Sequence, residues 1–101
     1  MNTILSADEI LALGFERPGI SILSEYCILD NGNIDIEKSL DNMRQSHVFY
    51  QKQITAAYNF KIRTGADYSD FTDKFDDYVR MKRLLSEAIS YLEQILAAYL
   101  K

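Results

Sequence analysis

Residues 69–100 set the terms for this chain. Phe71, Phe75, Tyr78, Lys82, Leu85, Ile89, Leu92, Leu96 and Tyr99 recur at steps of four and three without a break. One face of a helix repeats at that spacing, and sustained heptads favour a coiled-coil-like seam. At 1.5 Å per residue such a helix is about 48 Å long. Its apolar stripe needs a cover, and the chain supplies one. Ile36, Leu40, Met43, His47, Tyr50, Ile54 and Ala57 repeat at the same spacing over residues 35–64. Asp35 is placed to cap that helix and Gly65 to stop it, with Lys61 and Arg63 in the last turn, where the dipole favours positive charge. The connection Gly65-Ala66-Asp67-Tyr68 is short, so the two long helices are expected to be antiparallel neighbours.

The last helix carries more apolar surface than one neighbour covers. Met81, Leu84, Ala88, Tyr91, Ile95 and Ala98 form a second stripe that begins only near residue 81. Antiparallel pairing brings that half beside the start of the central helix, where the N-terminal segment also enters. The segment is expected to pack on the second stripe. Its opening is a short helix over 7–13: Ser6 and Glu9 are spaced as a capping box, Leu5 and Ile10 as a hydrophobic staple, and Gly14 is a left-handed stop. Residues 20–36 are ambiguous. As strands, Ile20, Ile22, Tyr26 and Ile28 share a face and Asn31-Gly32 makes a type I′ turn. As a helix, Ser21 caps and Asn31-Gly32 closes. A lone two-stranded hairpin is marginal in water, which tilts the reading toward helix. The expectation is a single all-α domain over residues 1–101, a long hairpin of about 35–64 and 69–100 with this segment packed on its open end.

Composition limits the function classes. The 101 residues are 48% hydrophobic and 26% charged, with a net charge of −4, a globular balance that argues against a surface devoted wholly to nucleic acid. One Cys gives no internal disulfide, and no 18-residue apolar run or signal sequence is visible. A cytoplasmic protein with no membrane partner is the expectation.

No catalytic signature is visible. His47, the lone histidine, has no companion ligands in register and is read as hydrogen-bonded within the bundle. Cys27 is read as a structural thiol. Asp67, Asp70, Asp73, Asp76 and Asp77 form an acidic run, read as a solvated helix start. Asp30-Asn31-Gly32-Asn33-Ile34-Asp35 resembles part of a calcium-binding EF-hand loop, but Lys38 stands where its last ligand is a Glu and Cys27 where its first is an Asp. Leu13-Gly14-Phe15 with Asn33-Ile34-Asp35-Ile36 loosely resembles the lead-in of hexapeptide-repeat acyltransferases, and no hexapeptide repeats follow. The length and hairpin shape resemble the small secreted helical hairpins that carry a Trp-x-Gly turn; Arg63-Thr64-Gly65 stands there instead. No metal or cofactor is expected, and the chain is not expected to be an enzyme.

The expected function is protein–protein binding, as an inhibitor, immunity-type protein, adaptor or chaperone, with self-association into a homodimer. Phe49 and Phe60 lie off the seam on one stripe, with Tyr58 and Tyr68 near them and Asp70 and Asp73 at the tip; these six are the candidate contact residues. The alternative is a nucleic-acid-linked regulator using Lys61, Arg63, Arg80, Lys82 and Arg83.

Overall fold

A computed structural model describes residues 3–18, 24–67 and 72–101. The chain is mostly helical, and two long helices pack against each other as the two stripes require. In chain order the elements are β1 (Ile4–Leu5), α1 (Ala7–Ala12), β2 (Cys27–Ile28), β3 (Ile34–Asp35), α2 (Ile36–Thr64) and α3 (Phe75–Tyr99). The molecule measures 52 × 24 × 20 Å, a rod set by the hairpin.

The N-terminal segment adds a small sheet to the helical architecture. β3 is its centre and pairs antiparallel with β1 on one side and β2 on the other. Over residues 27–35 the helical reading is therefore replaced by a β-hairpin; residues 20–23 lie outside the described part. The third strand explains the outcome, because β1 removes the objection that a two-stranded hairpin stands alone. The turn also differs from type I′. The amide of Gly32 donates to the carbonyl of Leu29 (2.9 Å), and that of Leu29 to the carbonyl of Asn33 (2.8 Å). Gly32 has φ of +86° while Asn31 stays at negative φ. This is a three-residue connection with glycine in the left-handed position.

The sheet is fastened to the start of α2. The amide of Ile36 donates to the Thr3 carbonyl at 3.0 Å, that of Glu37 to the Thr3 hydroxyl at 3.4 Å, and that of Lys38 to the Asp35 carboxylate at 3.1 Å. Three of the helix's free N–H groups are thus satisfied, two of them by Thr3, the residue before β1. Ser39, fully buried, accepts from the amide of Cys27 at 2.8 Å. Replacing Ser39 with Ala strands that amide and should cost about 1–2 kcal/mol in urea unfolding. A neutral result would mean that β2 is not held through this bond.

α1 carries the expected capping box, with both reciprocal bonds present at 3.1 and 3.2 Å. α2 ends at Gly65 with φ of +73°, its amide on the Lys61 carbonyl. α3 begins later than the predicted residue 69. Lys74 is its N-cap, without a side-chain bond, so Asp73 precedes the helix and Asp76 and Asp77 occupy its first turn. Residues 68–71 lie outside the described part.

The core joins Leu5, Ile10, Tyr26 and Ile34 of the N-terminal segment to Ile36, Leu40 and Met43 of α2 and Leu85, Ala88, Leu92 and Ile95 of α3. Each of the two α3 stripes contributes: Leu85 and Leu92 come from the first, Ala88 and Ile95 from the second. The N-terminal segment does lie on the second stripe. Phe15 meets Tyr91 edge to face at 6.3 Å, and the Tyr91 hydroxyl donates to the Glu16 carbonyl.

Candidate functional site: the arm of the hairpin

The N-terminal segment covers one end of the hairpin, here called the base. Beyond it α2 and α3 continue as a two-helix arm. Two helices alone bury only the residues between them, here Ile54 and Ala57. The arm is clamped instead by aromatic pairs. Tyr50 and Tyr78 have ring centroids 5.7 Å apart, Phe49 sits edge-on to both at 5.3 and 6.5 Å, and Tyr58 meets Phe75 at 5.9 Å. Such pairs each contribute about 0.5–1.5 kcal/mol beyond their burial. His47 closes the series at the base end, its Nε2 3.1 Å from the Ser86 hydroxyl. That is the bonded histidine its seam position implies.

The six expected contact residues do not form one surface. Phe49 is half exposed, and Phe60 is only partly exposed. Eleven positions at roughly 100° each bring them to the same flank of α2. Tyr58 is nine positions from Phe49, roughly half a rotation away, so it lies on the opposite flank. Asp73 is exposed ahead of α3. Tyr68 and Asp70 lie outside the described residues.

The two flanks have different neighbours. The segment carrying β2 and Glu25 sits on the Phe49 side: Ser39 bonds Cys27, and the Ser46 hydroxyl donates to Glu25 at 2.8 Å. The other flank carries Arg44, Val48, Gln51, Thr55, Tyr58 and Ile62, again at steps of four and three. Gln51 donates to Thr55 at 3.0 Å along it. Val48 is 51% exposed, Tyr58 48% and Ile62 82%. This stripe is present in the sequence, but Gln51 and Thr55 interrupt its apolar character and hide it from a hydropathy reading.

Charge divides along the length of the hairpin, between base and arm. Residues 1–48 and 84–101 carry ten acidic and four basic side chains, net −6; residues 49–83 carry five acidic and seven basic, net +2. No Asp or Glu occurs between Asp41 and Asp67, whereas Arg44, Lys52, Lys61 and Arg63 do. Within the acidic run Asp77 pairs with Arg80 at 3.7 Å, and the described residues contain no group of three or more His, Cys, Asp or Glu able to hold a metal ion. Among the described residues no helix is long and apolar enough to cross a membrane. Ser86, Glu87, Ser90, Tyr91 and Gln94 line an open groove along α3.

These features define a helical hairpin with a sheet-capped base and an arm in which, among the described residues, α2 and α3 have only each other for neighbours. No family model matches the chain, and neither a curated protein nor a solved structure matches it.

Proposed function

We propose that this chain acts by binding protein rather than by catalysis, and that the arm is the part that binds. The observation that carries the reading is the exposure of Val48, Tyr58 and Ile62 along one flank of α2, with Ile62 at 82%. A solvated hairpin has no need of an aliphatic side chain so fully presented, and clustered exposed apolar residues mark contact surfaces. The inhibitor, immunity-type, adaptor and chaperone roles all fit this use of a surface. An acid-free stretch bearing four cations is the specific observation that favours the second reading, a nucleic-acid-linked regulator.

Placing a photo-crosslinking amino acid at position 62 of the full chain separates the two. Irradiation in an extract of the source cell should give covalent adducts with protein, identified by mass spectrometry. Adducts with nucleic acid in their place, or no adducts at all, would overturn the reading. The Phe49 flank is tested in parallel. Phe49→Ser with Phe60→Ser should weaken partner capture in a pull-down several-fold if that flank binds, while far-ultraviolet circular dichroism stays unchanged.

A further inference from the structure

We infer that the arm's partner is an acidic amphipathic helix of about four turns, seated on the face that α2 and α3 present together on the Val48–Ile62 side. The inference rests on the protein-binding reading above and names the chemistry of the partner.

Register builds the face from both helices. The His47 ring bonds the Ser86 hydroxyl at 3.1 Å, and the Tyr58 ring meets that of Phe75 at 5.9 Å. The two pairs are eleven positions apart on α2 and eleven on α3, about three turns on each, so both contacts lie along one side of the hairpin. The same antiparallel register sets Gln51 opposite Lys82 and Ile54 opposite Val79. On α3, Phe75, Val79, Lys82 and Ser86 step by four, three and four, and form a stripe beside Val48, Gln51, Thr55, Tyr58 and Ile62 of α2. Together the stripes expose Val48 at 51%, Tyr58 at 48%, Ile62 at 82% and Val79 at 44%. Val48 and Ile62 are fourteen positions apart, about 21 Å along the axis, which is four turns of a docked helix. Two rows at four-three spacing leave a groove between them that accepts a third helix, knobs into holes.

Charge selects which helix. Neither stripe carries a carboxylate, and none occurs in residues 42–66 or 78–86. Lys82 stands half-buried on the apolar seam, and Arg44 extends the α2 stripe toward the base. Among the described residues no carboxylate pairs with either. Any helix laid on this face removes water from both cations, and a buried charge is costly unless it is paired. The occupant therefore has to bring Asp or Glu beside its apolar row. A second copy presenting this face brings the same cations and no carboxylate. Nucleic acid would pair the cations but leave Val48, Ile62 and Val79 without apolar contact.

The test uses the full chain and two fluorescein-labelled peptides of about 18 residues. Both have leucine at the a and d positions of a heptad; one has glutamate at e and g, the other lysine. In fluorescence anisotropy the glutamate peptide should bind at least about tenfold tighter than the lysine peptide. Arg44→Glu with Lys82→Glu should invert that preference. Val48→Ser with Ile62→Ser should weaken the glutamate peptide at least about tenfold, with circular dichroism unchanged in both variants. A photo-crosslinking residue at position 79 should reach the same protein as one at 62, on an acidic helix. Equal binding of the two peptides, binding of neither, a preference that charge reversal leaves in place, or different partners at 62 and 79 overturns the inference. With protein adducts still formed at position 62, each of those failures leaves the protein-binding reading standing; nucleic-acid adducts there end both.

Discussion

Leu92→Ala is expected to cost about 2–5 kcal/mol, the range for emptying a fully buried leucine site. Leu92 has no exposed surface and sits where the base is thickest, in the cluster that joins α2, α3 and the N-terminal segment. A domain of this length has about 5–15 kcal/mol of stability in total, so one truncation consumes a large share. Collapse around the void is limited, because Leu85, Ile95, Leu40 and Met43 are themselves buried and belong to the same cluster. Urea unfolding followed by circular dichroism at 222 nm would read the loss as a lower midpoint at unchanged slope. Leu100→Ala, at a side chain half exposed beyond the end of α3, should stay within about 0.5 kcal/mol. A Leu92→Ala loss no greater than that of Leu100→Ala would mean that the stripe does not form the core.

Much of this base was legible because its signals are local. Ser6 and Glu9 find each other across three residues, Asp35 caps its own helix, and Gly65 ends it. The seams are legible because helical period is a local property, and Ile36, Leu40, Met43, Leu85 and Leu92 are buried where the period puts them. The strands were not legible. Each is two residues long, too short to show alternation, and what decides them is tertiary: Thr3 bonds the start of α2 and Ser39 holds Cys27. The start of α3 failed for another reason. Five aspartates between residues 67 and 77 all resemble caps, and the residue that stands at N-cap is Lys74, which makes no capping bond.

The candidate surface was legible in part. Phe49 and Phe60 share a flank, as their eleven-residue separation implies. The nine-residue separation of Phe49 and Tyr58 implies opposite flanks with equal force, so Tyr58 lies near the two phenylalanines in sequence without sharing their stripe. Two consequences follow for the arm. Phe49 is half committed to clamping Tyr50 and Tyr78, so its substitution tests arm rigidity as well as contact. Ile62 has no such commitment on display at 82% exposure, which makes it the cleaner probe of binding.

Alkaline pH offers the second large effect, and it reports on the base alone. Burial, then the nearby Tyr91, pushes the Tyr26 hydroxyl up from 10 to about 12. Tyr91 is raised too, first by burial and then by Glu16. Unfolded tyrosine titrates near 10. Between pH 10 and 12 the unfolded chain therefore releases the Tyr26 proton while the folded chain retains it. Fewer protons are bound in the unfolded state, so stability falls as pH rises through this window and is fully present below 10. The loss attributable to Tyr26 is on the order of 2 kcal/mol, taking about 1.4 kcal/mol per pKa unit. The measurement is a difference: urea midpoints at pH 9 and 11.5 for the unmodified chain and for Tyr26→Phe. The variant should lack most of the Tyr26 share of the decline. An identical decline in both would mean that Tyr26 ionises freely and that the sheet-bearing segment is not sealed against the hairpin.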